Sequence, residues 1–148
     1  TGVQTCALPI CIVCHRFRDD GGSTGPDLTQ AAGRFPLRDL VEAIIEPSRV
    51  VSDQYRVSVV HTADGRVITG RVVGDSPERI VLVTDPEDAA KTATVARSEI
   101  ESLSQSPVSA MPGGLLDQLN EQEVLDLMAY VLSRGSKKDP RFTSAKRR

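Results

Sequence analysis

Cysteines at positions 11 and 14 and a histidine at 15 make up the run Cys11-Ile12-Val13-Cys14-His15. Two thiols three positions apart can reach the two vinyl groups of one porphyrin and close thioethers. The adjoining imidazole is then held where a neutral ring nitrogen ligates the iron. C-x-x-C-H is the attachment pattern of c-type haem. Two other chemistries use paired cysteines. A zinc site needs a second pair of Cys or His ligands, and after this run the chain offers only His61 and no cysteine. A thioredoxin-like redox pair belongs in a βαβ context, and none follows. The run favours haem c as its cofactor.

The second chemically suggestive stretch is Ser109-Ala110-Met111-Pro112-Gly113-Gly114-Leu115. Methionine usually fills gaps in a core, and a methionine among Pro and Gly is not placed for that. In a loop whose backbone proline holds, a thioether can be aimed at an iron. Met128 is the rival, but it falls on the apolar helical stripe Val124, Leu127, Met128, Val131. Met111 is therefore expected as an iron ligand and Met128 as core. Nearer the cysteines, Gly25-Pro26-Asp27-Leu28-Thr29 ends a loop that begins at Arg16. Proline fixes one backbone angle and cannot donate, so this segment can be rigid while its carbonyls stay open as acceptors.

The elements that must carry these residues follow from periodicity. Leu37 to Glu46 reads as a short helix with Leu40, Val41, Ile44 and Ile45 on one face, opened by Pro36 and stopped by Pro47. From Tyr55 the period becomes two. Strands are expected over Tyr55–Val59, Val67–Val73, Ile80–Val83, Thr92–Ala96 and Glu99–Ser104, with a turn at Asp64-Gly65 and a loop over Asp85–Ala90. Such spacing suggests an antiparallel meander curled into a small barrel. This stretch holds one histidine, His61, and no nucleophile–base–acid set. A last helix is marked by Asn120 with Glu123 at its start and Gly135 as its stop.

Charge and composition set the outer bounds. Formal net charge is −2, but residues 137–148 hold six basic side chains against Asp139, or +5, which leaves −7 on the first 136 residues. An acidic body argues against nucleic acid as a partner, and the basic stretch 136–148 reads as a disordered tail. No apolar run approaches the roughly 20 residues that span a bilayer. Thr1 to Ile10 shows neither a capped helix nor strand alternation nor a secretion signal. The string resembles a sequencing adapter read in one frame. Residues 1–10, Cys6 included, are therefore expected to be non-native, with the natural chain cut just ahead of the cysteine–histidine run. An apolar patch near Val124, Met128 and Val131 is expected to be left uncovered as a result.

Together these motifs resemble a c-type cytochrome domain, the haem-binding domain of Pirellula/Verrucomicrobium type. The likeness covers roughly residues 11–135 and rests on an ordered series. The series is C-I-V-C-H-R-F, G-P-D-L-T, R-F…D-L…I-I-E-P-S, D-Q-Y, D-G-R, S-A-M-P-G-G-L and E-V-L-D-L-M-A-Y-V-L. The resemblance implies thioethers at Cys11 and Cys14, a proximal ligand at His15, a distal ligand at Met111, and a Pro26 carbonyl that accepts the second N–H of the proximal ring. The fold it implies is α+β, a cytochrome c-like helical haem domain with an inserted small antiparallel β-meander or barrel over about 54–105. It also implies an electron carrier, not an enzyme, at the C-terminal end of a larger exported or periplasmic protein. Its partner would be an upstream dehydrogenase domain or a separate redox protein. Two other classes stand beside electron transfer: a haem-based sensor in which Met111 yields to a small ligand, and a non-haem module whose β unit docks a partner.

Overall fold

A computed structural model describes residues 8–136 and 138–140 of the chain. Two compact units make up the chain: Thr1–Pro47 with Gly113–Arg148, and Ser48–Pro112.

The first unit starts with a short helix, α1, Leu8–Ile12, that runs into the cysteine–histidine motif. A two-residue hairpin follows, β1 (Arg16–Phe17) against β2 (Asp20–Gly21), in the register Arg16↔Gly21 and Phe17↔Asp20. Next come α2 (Ala31–Arg34) and α3 (Leu37–Ile45). Pro36 immediately precedes α3, where its missing N–H loses nothing, and Pro47 follows two residues after it. The last element is α4, Glu121–Leu132. Its start is a full capping box. The Asn120 side chain accepts the Glu123 N–H at 3.0 Å, and the Glu123 carboxylate accepts the Asn120 N–H at 2.9 Å. Beyond its last turn, Gly135 takes the left-handed backbone (φ 72°) that lets the chain turn away.

Leu127 and Met128 are the buried centre of this unit, with Cys11, Val41, Ile44, Leu116 and Leu119 packed on them. Beside them Phe17, 2 % exposed, sets its ring edge-on to Tyr130 with centroids 5.1 Å apart.

The second unit is a five-stranded antiparallel sheet of β3 (Ser58–Thr62), β4 (Val67–Asp75), β5 (Arg79–Asp85), β6 (Asp88–Ala96) and β7 (Ile100–Gln105). The strand order is β6-β5-β4-β3-β7. Alternate residues Val60, Ile80, Leu82 and Val95 meet on one face with Ile68, Val72 and Ile100, which is the period-two pattern turned into a core. At one end of the unit the Ser109 N–H donates to the Ser48 hydroxyl at 3.0 Å, tying the unit's two chain ends together.

Several expectations are corrected. The fold is mainly β, a five-stranded sheet plus a two-stranded one with few short helices, and is not the helical cytochrome c-like domain expected. The prolines around α3 hold it to nine residues, and α4 reaches only twelve. The sheet is not a simple meander. Its fifth strand returns to pair with β3, leaving β6 and β7 as separate edges. The loop expected over 85–90 shrinks to a turn, because β6 already begins at Asp88. The first strand starts at Ser58, after a single helical turn at Asp53–Tyr55. Arg16 to Gly25 contains the hairpin, not loop alone, and Leu8 to Ile10 are helical.

Of the residues expected in an uncovered patch, Met128 and Val131 are buried at 7 % and 6 % exposed and Val124 is half-buried, and the large apolar residue that α4 presents outward is Leu125. Residues 1–7, and of the basic tail 137 and 141–148, lie outside the described residues. No helix among the described residues is long and apolar enough to cross a membrane.

Candidate functional site

Helical hydrogen bonding carries α1 into the motif. The His15 N–H donates to the Cys11 carbonyl at 2.9 Å and the Cys14 N–H to the same oxygen at 3.3 Å. Both cysteines and the imidazole therefore lie on one turn of backbone. Residues 22–28 then fold back along that turn. The Gly22 N–H donates to Ile12 O, Gly25 N–H to Cys14 O and Leu28 N–H to Arg16 O, each at 2.8 Å.

Two glycines permit this close approach. A Cβ on Gly22 would come within 2.0 Å of the Val13 carbonyl oxygen. One on Gly25 would come within 2.7 Å of Cε1 and 2.8 Å of Nδ1 of the His15 ring. The backbone at Gly25 thus lies flat against the imidazole.

The next residue sets the ring's protonation. Nδ1 of His15 lies 2.7 Å from the carbonyl oxygen of Pro26. A carbonyl can only accept, so in the neutral ring Nδ1 carries the proton and Nε2 keeps its lone pair. Nε2 is the atom a metal would use, and the partner on Nδ1 orients the ring.

The two sulfurs differ in setting. Cys11 packs on the Leu127–Met128 cluster, and burial, with Cys14 beside it, pushes its thiol up from the ordinary range. Such a site disfavours the thiolate that zinc binding or thiol exchange requires, whereas a neutral thioether there meets no penalty. Cys11 and Cys14 are not joined to each other. Among the described residues no three His, Cys, Asp or Glu side chains converge as a metal set, Cys11, Cys14 and His15 included. A porphyrin would take the sulfurs at its rim and only the imidazole at its metal, so it would not require three converging side-chain donors.

Cys11, Cys14, His15 and Pro26 thus come together in the first unit. Met111 belongs to the second, where it is half-buried and its N–H donates to the Ser109 hydroxyl at 3.1 Å. The sequence reading missed the residues that brace the proline loop. Asp27 accepts the Thr29 N–H at 2.8 Å, and the Thr29 hydroxyl accepts the Arg18 N–H at 2.6 Å. The signal was present in Asp27-Leu28-Thr29, since an aspartate that accepts the N–H two residues on is a common turn device. Phe17 and Tyr130 had no such local signal.

No family model matches the chain, and no curated protein matches it either.

Proposed function

We propose that this chain carries a covalently attached c-type haem and transfers electrons through it. The observation that supports this most directly is the 2.7 Å contact of His15 Nδ1 with the Pro26 carbonyl, on the same turn as two thiols in C-x-x-C-H spacing. In this reading Cys11 and Cys14 would hold the haem through thioethers and His15 Nε2 would be the iron's ligand. The Pro26 carbonyl holds the ring against rotation and leaves Nε2 with its lone pair. The Gly25 backbone lies close against the imidazole, with no room for a side chain between them. When bound, the haem iron alternates between Fe(II) and Fe(III), one electron at a time. Met111 is the sequence-based candidate for the sixth position, and methionine there raises the potential, which suits an acceptor from a dehydrogenase. Haem c chemistry also implies an exported, periplasmic setting and a protein redox partner.

The chain is tested by export together with haem-maturation machinery. The expected product keeps its haem through denaturing electrophoresis, and Cys14→Ala shifts the pyridine haemochrome band. Haem that acid–acetone extracts from the unmutated protein overturns the assignment. In the oxidised protein, Met111→Ala removes the near-infrared sulfur-to-iron band if Met111 is the sixth ligand, and the band survives if it is not. Carbon monoxide binding to the reduced, unmutated protein would favour a ligand-sensing module instead.

A further inference from the structure

The Pro26 carbonyl, the acceptor for His15 Nδ1, belongs to the Pro26–Asp27 peptide. That carbonyl shares a peptide plane with the Asp27 nitrogen, so whatever fixes Asp27 fixes the plane. Backbone bonds from Gly25 to Cys14 and from Leu28 to Arg16 flank this peptide, and the Asp27 side chain adds a further tie. Its carboxylate accepts the Thr29 N–H at 2.8 Å, and the side chain and backbone of Thr29 together hold the Asp27 carboxyl below its usual range. The Thr29 hydroxyl accepts the Arg18 N–H at 2.6 Å.

Arg18 sits at φ 57°, a left-handed conformation uncommon outside glycine, and this is the tip of the β1–β2 hairpin. Its guanidinium Nε in turn donates to the Arg134 carbonyl, just past α4, at 3.1 Å. A continuous path of hydrogen bonds therefore runs from the end of α4 through Arg18, Thr29 and Asp27 to the peptide that faces His15.

We propose that Thr29 is a positioning residue for His15. Its hydroxyl accepts the Arg18 N–H while its own N–H donates to the Asp27 carboxylate, and this link holds the Pro26 carbonyl on Nδ1 and so keeps Nε2 unprotonated for a ligand. The consequence for haem rests on the function proposed above, but the tautomer itself does not. Any metal or haem that uses Nε2 meets a ring prepared in advance.

The test reads nitrogen-15 shifts and ring-proton couplings of the histidines in the haem-free full chain, at a pH where both rings are neutral. The chain has two histidines, and His61 on β3 serves as the reference. His15 is expected to show a protonated Nδ1 and an unprotonated Nε2. Thr29→Val, which keeps the shape and removes the hydroxyl, is expected to move both nitrogens toward averaged values like those of His61. Thr29→Ser is expected to restore the original pattern. The Phe17–Tyr130 ring contact reports that the unit remains folded. Should Thr29→Val lose that contact, Asp27→Ala, which removes only an exposed carboxylate, decides with the same readout. Unmoved His15 nitrogens in the deciding variant, or a protonated Nε2 in the unmutated chain, overturn the proposal. Because no haem is present, either result is distinct from a failure of haem attachment.

Discussion

Gly25→Ala is the sharpest perturbation of the histidine's setting. The new methyl would meet His15 Cε1 at 2.7 Å, Nδ1 at 2.8 Å and Nε2 at 3.2 Å. Carbon atoms in contact prefer about 3.5–4.0 Å, so ring or backbone must yield by roughly 0.8 Å or more. The atoms on the ring side belong to a group held at 2.7 Å by the Pro26 carbonyl. The backbone side is held by the Gly25 N–H to Cys14 O bond at 2.8 Å. Relief in either direction stretches a hydrogen bond.

Overpacking of this kind costs about 1–3 kcal/mol, and a lost hydrogen bond about 0.5–1.5 kcal/mol more. The reduced entropy of the unfolded alanine chain returns about 0.4–1 kcal/mol. The expected net loss is about 0.5–4 kcal/mol. Urea unfolding followed at the Tyr130 ring measures it, with the His15 ring shifts recorded in parallel. Gly113→Ala is the matched comparison, because nothing lies within 4 Å of a Cβ there. That variant should stay within about 0.5 kcal/mol of the parent. A Gly25→Ala chain as stable as Gly113→Ala, with His15 signals unmoved, would refute the reasoning.

Leu82, fully buried in the sheet core, should cost about 2–5 kcal/mol when cut to alanine, read as a lower urea midpoint in the strand signal of circular dichroism. Asn120→Ala removes one half of the α4 capping box and should cost about 0.5–2 kcal/mol, with Asn120→Asp close to neutral in the same melt. The raised thiol of Cys11 means that the folded state holds this proton more tightly than the unfolded chain does. Its contribution is therefore intact below the ordinary thiol range and is lost as pH rises through and past that range. Stability measured against pH should fall on the alkaline side, and the fall should be shallower in Cys11→Ala.

Much of the local structure was legible because short-range chemistry governs it. The capping box of Asn120 and Glu123 depends on residues three apart, and it forms. The prolines at 36 and 47 bound α3 by removing donors. Period two placed most of the strand residues, since Val60, Ile80, Leu82 and Val95 can share one face only if the pleat is regular. Met128 belonged to an apolar stripe and is buried.

Tertiary structure decided what depends on residues far apart in the chain. Pairing of β7 with β3 instead of β6 is a choice between edges that alternation cannot express, because each strand pattern reads the same beside either neighbour. The short hairpin at Arg16–Gly21 was hidden in a loop-like composition. Phe17 there packs on Tyr130 and Arg18 reaches the Arg134 carbonyl, contacts made across more than a hundred residues. The overall class misled for a related reason. Helical motifs are dense in their signals, while the strands, each half-exposed, carry weak ones, and so the sequence reading weighed the helices above their share of the fold. C-x-x-C-H could be read without a structure because its five residues lie on one turn of backbone. The contact of its histidine with the Pro26 carbonyl was expected from the family resemblance, and only the ties through Thr29 and Arg18 to the far end of α4 needed the tertiary structure.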